Sequence, residues 1–527
     1  MLEDCGASGQ RAAGTRGCHG PTLQVSARFR AGMVGSYEGW YGMIYGPLIT
    51  VLVLALLIAV AAPLLRRMAS LSRSVATHRR DIPTREPRDV PSYAAHASLL
   101  DGSAGAVERV ALPARGPARA ARRPGARLLD RIAPLDAAEL IDTALRRRGC
   151  REFSDWTFAT PLQRLLRSLH EEEQLSTFGR LAARFDALRC LDNQLALDIA
   201  ERTDPAIARR RIVRPIFITG LPRSGSTFLH SMLALDPAVA VPRSWQLMYP
   251  YPTGSLLAGA DNRRARVARQ FALFRLLSPE LAGMHPLAAD APQECTDITA
   301  QVFQSLRFDT IYRIPAYRDW LDQHGHDGAY RFHRRFLQHL DAQAASARHW
   351  VLKSPDHVFA LDALRRTYPD ARIVMLHRDP LCVLASVAKL TEILRRPFTR
   401  HVDREQIGAE ISARWADGAE RMVAARSSGA QMLHLHYHDL VSAPMDTISA
   451  LYDHCGMTLS AEAEARMAEF LRARPRGGYA VHAHRLESFG LEAAALRERF
   501  AGYMQTFDVR PERTGFCAAN VGDSGTA

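Results

Sequence analysis

The sequence predicts an α/β protein, an open parallel sheet flanked by helices with its ligand at the carboxyl ends of the strands. Three observations carry this. Ile216–Ile218 is a short apolar run that breaks into a glycine-bearing loop and then an apolar, helically spaced segment, Phe228 to Leu235. Ala371–Leu376 is a second such run, too short and too β-branched for a helix, ending at His377-Arg378-Asp379-Pro380. Helical patterns intervene, at 360–367 and 405–426.

The first loop reads Gly220-Leu-Pro222-Arg223-Ser224-Gly225-Ser226-Thr227. A strand, a glycine-bearing loop and a helix aim backbone N–H groups and the positive end of a helix dipole at an anion. The spacing Gly220, four residues, Gly225, Ser226-Thr227 is half of a P-loop, and the lysine that should follow the second glycine is replaced by Ser226. Arg223 is the cation inside this P-loop-like turn, so Pro222 through Thr227 are candidate phosphate contacts. At the second strand end, Arg378 and Ser386 on the following helix can grip one phosphate from two sides. A P-loop kinase or NTPase is the rival class. It calls for the missing lysine and a magnesium-holding aspartate, where these strand ends offer Lys353 and Arg378.

These motifs, in this order, resemble sulfotransferases that use 3′-phosphoadenosine 5′-phosphosulfate (PAPS), in a bacterial branch related to the tyrosylprotein enzymes. The resemblance spans roughly 136–509. It implies that the Pro222–Thr227 loop holds the 5′-phosphosulfate, that Arg378 and Ser386 hold the 3′-phosphate, and that Lys353 in Trp350-Val-Leu-Lys353-Ser-Pro-Asp-His357 stabilises the leaving group. The implied reaction yields adenosine 3′,5′-bisphosphate and a sulfate ester, with no metal. The basic, glycine-broken stretch 472–485 resembles the family's nucleotide lid, with Arg474, Arg476 and Gly477 as contacts.

Transfer to a hydroxyl also needs a proton acceptor. Relatives carry a glutamate after a Pro-Arg-Ser-Trp-like run, and this chain has Gln246, which cannot take a proton; that substitution sustains a third reading, a binding protein with a degenerate nucleotide site. Two other residues remain open as the base, Glu294 in Ala291-Pro-Gln-Glu-Cys295 and His285 in Met284-His-Pro286.

The charge balance of +13 suits an anionic cofactor or membrane face, and no zinc-finger, homeodomain or RNP pattern points to nucleic acid. Eight scattered cysteines without CxxC pairs argue against a disulfide framework or structural zinc. Residues 41–65 carry no charge and are long enough to span a bilayer core of about 30 Å. Arg66, Arg67, Arg73, Arg79 and Arg80 follow, against Arg28 and Arg30 before, which predicts a single-pass transmembrane helix with the catalytic domain cytoplasmic. The expected order is a disordered segment (1–40), the transmembrane helix (41–65), an Arg/Ala/Pro-rich linker (66–128), a helical preface (129–212), the catalytic domain (213–510) and a disordered tail (511–527). The acceptor is then a hydroxyl compound living in or near the membrane.

Overall fold

The computed structural model describes residues 133–252, 261–284, 287–344, 349–429, 431–473 and 485–512, all within one compact unit, Arg109–Ala527. The expected segments 1–40, 41–65 and 66–128, and the candidates His285, Arg474, Arg476 and Gly477, lie outside the described residues. Among the described residues, no helix is long and apolar enough to cross a membrane.

Five parallel strands form the sheet: β1 (Ile216–Gly220), β2 (Val239–Ala240), β3 (His349–Lys353), β4 (Arg372–His377) and β5 (Leu433–His436), in the order β2-β3-β1-β4-β5. The chain leaves β1 for one edge and β4 for the other, which opens a crevice at the carboxyl ends of the strands. Register sets the depth of that crevice. Ile218 pairs with both Lys353 and Val374, and Gly220 with Leu376, so β3 ends two residues below the end of β1 and β4 one residue above it.

The preface is helical: α1 (Ala137–Arg148), α2 (Ala159–Glu171) and α3 (Thr177–Thr203). Asp136 caps α1 by accepting from the Glu139 N–H at 3.0 Å, and Ser176 caps α3 by accepting from the Gly179 N–H at 2.9 Å. The α4 helix (Ser226–Leu233) follows β1, and α5 (Arg263–Leu277) and α6 (Asp327–Ala342) come before β3. The α7 helix (Pro380–Arg395) starts on Pro380, with the Asp379 side chain accepting from the Leu381 N–H; α8 (Arg404–Ser427) and α9 (Pro444–Cys455) complete the frame.

Both faces of the sheet are covered, as continuous apolar strands require. Ile216, Ile218, Val351, Val374 and Leu376 pack with Leu229, Met232 and Leu233 of α4 and with Ile448 and Leu451 of α9. Each such burial contributes about 1.5–3 kcal/mol. On the other face, the Phe217 ring meets Tyr368 at 5.2 Å and His333 of α6 at 5.8 Å.

Candidate active site

Backbone geometry explains the letters of the loop. Gly220 has φ +130°, and a Cβ there would lie 2.2 Å from the Leu376 carbonyl oxygen. Gly225, at φ +87°, is the N-cap of α4, and a Cβ there would press on Tyr437 and Leu440 at 3.1 Å. Arg223 is held at φ +60° without being glycine, a conformation costing about 1–3 kcal/mol and typical of ligand clamps. The Ser224 side chain is fully buried, and its Oγ has no hydrogen-bond partner among the described residues.

Lys353 ends β3 and is only 2% exposed. Its Nζ donates to Thr227 Oγ1 at 3.0 Å and forms an ion pair with Glu294 Oε1. The Cys295 N–H donates to the Lys353 carbonyl at 2.9 Å, which ties the Glu294 segment to the strand end. Just beyond lies Asp356, in the turn Pro355–Phe359. Burial, then the neighbouring Glu294, pushes its carboxyl up to about 7, while Arg414 and Lys353 oppose that rise. Its carboxylate has no hydrogen bond or ion pair among the described residues, though it lines the same cavity. His357, the next residue, is bonded to Tyr330 and held well below the imidazole range by burial.

Arg378 takes a bidentate grip on Glu512, with Nε and Nη2 each 2.9 Å from a carboxylate oxygen. Its Nη1 donates to the Arg223 carbonyl at 2.8 Å, and its guanidinium lies 3.8 Å over the Tyr437 ring. The Glu512 N–H donates to Asp379 at 2.7 Å, so the folded unit reaches past residue 510. Ser386 does not meet Arg378 directly. Arg223 reaches between them, donating from Nε to Ser386 Oγ at 3.1 Å and from Nη1 to the Met284 carbonyl at 2.9 Å. The loop, Arg378 and Ser386 are thus one cluster, arranged around Arg223.

Gln246 belongs to the short helix Ser244–Met248, where its Oε1 accepts the Arg243 N–H at 2.9 Å. It caps that helix and is not among the cavity-lining residues, so its inability to take a proton says nothing about the chemistry. No His/Cys/Asp/Glu group able to hold a metal ion occurs among the described residues.

Residues 215–461 match the family described as the sulfotransferase family. The chain is also similar to the omega-hydroxy-beta-dihydromenaquinone-9 sulfotransferases Stf3 of Mycobacterium bovis and Mycobacterium tuberculosis. Identity to each is 24% over 253 residues, or 46% of this chain, and the chain spans 63% of the length of these curated relatives. Among solved structures, sulfotransferase STF9 from Mycobacterium avium superposes with TM-score 0.64 at 28% identity, covering 71% of this chain and 96% of that one. Sulfotransferase STF1 from Mycobacterium tuberculosis superposes with TM-score 0.60 at 32% identity, covering 69% of this chain and 98% of that one. The chain belongs to the sulfotransferase family.

In this member of the sulfotransferase family the loop, Lys353, Glu294, Asp356, Arg378 and Ser386 all face one cavity of about 860 Å³. Its remaining lining joins apolar side chains, Phe178 and Phe185 of α3, Phe271 and Phe274 of α5, Leu390 and Leu394 of α7, and Phe398, to charged ones that include Asp186, Arg307, Arg318 and Arg414. Sequence reasoning missed these wall residues and Asp356. Helical spacing marks Phe271/Phe274 and Leu390/Leu394, but the same spacing marks any buried helix face.

Proposed function

We propose that the protein transfers a sulfuryl group from PAPS to the hydroxyl of an apolar, lipid-like acceptor. The observation that carries this reading is the single cavity that joins an anion-binding loop and a buried lysine to an aromatic and aliphatic wall. The donor fits the residues present. The loop amides and the N-terminus of α4 suit a 5′-phosphosulfate. Arg223, Arg378 and Ser386 supply the cations and hydroxyl for further phosphate oxygens, and Arg474, Arg476 and Gly477 are proposed to close over the nucleotide.

A bound phosphosulfate contributes an activated S–O bond. Lys353 then serves to offset charge growing on the bridging oxygen as that bond breaks, with Thr227 holding the ammonium in line. The acceptor oxygen bonds to sulfur and gives its proton to a carboxylate beside Lys353. Of the two carboxylates there, Glu294 is engaged by the lysine, whereas Asp356 has no ion pair among the described residues and is pushed up to about 7 by burial. That favours Asp356 as the base and Glu294 as the group that orients Lys353. The Stf3 relatives, named for an omega-hydroxy menaquinone, support a lipid-like alcohol as acceptor. We further propose anchoring through 41–65 with the catalytic unit on the cytoplasmic side.

Isothermal titration of the full chain with adenosine 3′,5′-bisphosphate and with magnesium-ATP tests the donor. The expected result is tight binding of the bisphosphate that Arg378→Ala abolishes, with little for ATP. Tight magnesium-ATP binding would move the protein to the kinase class, and binding of neither by folded protein would establish a degenerate site.

A further inference from the structure

The α5 helix carries Arg263, Arg264, Arg266, Arg269 and Arg275 and no acidic residue. Its inner side is accounted for. Val267 is buried, Arg266 lies 3.9 Å over the Tyr249 ring, and Phe271 and Phe274 line the cavity. The outer side is not. Ala265, Ala268 and Ala272 are exposed there, with Leu273 at 38% and Leu276 at 80% exposure.

A second apolar rim lies beside it. Phe178 and Phe185 of α3 line the cavity yet are 39% and 48% exposed. The two rims meet on Phe398, whose ring stacks on Phe178 at 5.6 Å and on Phe274 at 5.9 Å. Of the six large exposed apolar side chains among the described residues, five belong to the two helices that bound the apolar end of the cavity, Phe178, Phe185 and Ile199 on α3 and Leu273 and Leu276 on α5. Single exposed apolar residues need no explanation, but a group of them around a cavity does.

Charge selects the occupant. Arg264, Arg269 and Arg275 share the outer face with the leucines. Arg264 pairs with Asp290, Arg275 donates to the Leu287 carbonyl, and Arg269 has no partner among the described residues. The nearby acids Asp261 and Glu280 are already engaged by Arg263 and Arg396. Exposed arginines interspersed with leucines, on a helix that itself carries no acid, suit a face drawn to anionic lipid headgroups.

We propose that the outer face of α5, together with Phe178 and Phe185, docks on an anionic lipid surface and seats the apolar end of the cavity against it. A lipid alcohol then passes from the bilayer to the site without exposing its chain to water. This surface stands on α5 and α3 alone. It requires neither 41–65 nor the sulfuryl-transfer reading.

The test is Leu276→Trp in the full chain, held in discs of phosphatidylcholine or of phosphatidylcholine with phosphatidylglycerol, each doped with brominated lipid. The expected result is extra quenchable tryptophan emission over the parent in the anionic discs, lost at ~1 M salt, where the screening length falls to about 3 Å, and lost when Leu273→Glu is added. Equal emission in both discs and at both salts would overturn the proposal, as would a position 276 already shielded from a water-soluble quencher without lipid. Shielding of that kind would assign the face to residues 1–132, a second copy or a protein partner. Quenching requires no turnover, so its failure is distinct from failure of the proposed reaction.

Discussion

On the donor side, the cavity is made by turns at the ends of β1, β3 and β4, whereas on the acceptor side it is made by the flanks of α3, α5, α7 and α8, far apart in the chain. The proposed donor side presents backbone amides and a few cations at fixed heights, so its letters are dictated. Gly220 cannot carry a Cβ against Leu376, and Gly225 cannot do so without displacing Tyr437 and Leu440. The apolar part of the proposed acceptor wall asks only for volume, which Phe, Leu, Ile or Trp can each fill. A motif therefore marks one half of the cavity, and an ordinary-looking core marks the other.

The contrast can be broken hardest at the lysine. Lys353→Met is expected to lower kcat by ~10²–10³-fold while leaving bisphosphate affinity nearly intact, read by single-turnover kinetics beside calorimetry. Preserved kcat would remove Lys353 from the chemistry and leave the donor side a binding site only.

Asp356→Asn comes next, with an expected loss of ~10²-fold in kcat. The parent's rate should rise with pH through about 7 if the Asp356 carboxylate is the proposed base, and that limb should vanish in the variant. Stability moves the other way. The folded-state pKa lies above the unfolded value, so the native chain binds the extra proton between about 4 and 7, and stability falls as pH rises across that window. The variant should therefore be more stable than the parent at pH 8, by about 1–3 kcal/mol in denaturant titration. A similar pH limb in Asp356→Asn, lost instead in Glu294→Gln, would return the base to Glu294.

Phe274→Ala sharpens the other half. An acceptor KM raised ~10-fold for a long-chain alcohol, with bisphosphate affinity unchanged, is what a wall of apolar volume predicts. Equal losses for long and short alcohols would mean that the ring supports the fold and not the chain.

The smallest effect is expected at Glu512→Gln, a gain of ~3–10-fold in bisphosphate affinity as a competing carboxylate loses its charge. No change would show that the Arg378–Glu512 pair yields without cost.

The two strands that carry the anion-binding loop and Arg378 were readable in the sequence. Ile216–Ile218 and Ala371–Leu376 became β1 and β4, and the patterns at 360–367 and 405–426 became the helices Leu361–Thr367 and α8. What escaped was of two physical kinds. Contacts distant in the chain leave no local pattern, as with Arg223 crossing to Ser386 and Glu512 reaching Arg378. Ambiguous letters hid the rest: Asp356 reads as a turn residue, Gln246 as a lost acid, and Phe271 and Phe274 as core. The burial that raises the Asp356 pKa, and the bond that makes Gln246 a helix cap, exist only once the chain has folded.

The docking of Glu512 on Arg378 also couples the donor site to the stretch around Asp508–Glu512, and such coupling runs both ways. Whatever factor the tail costs an anion at Arg378, the anion costs the tail. Saturating bisphosphate should therefore speed proteolytic nicking at Arg510, and loss of the Glu512 contact should in turn tighten bisphosphate binding.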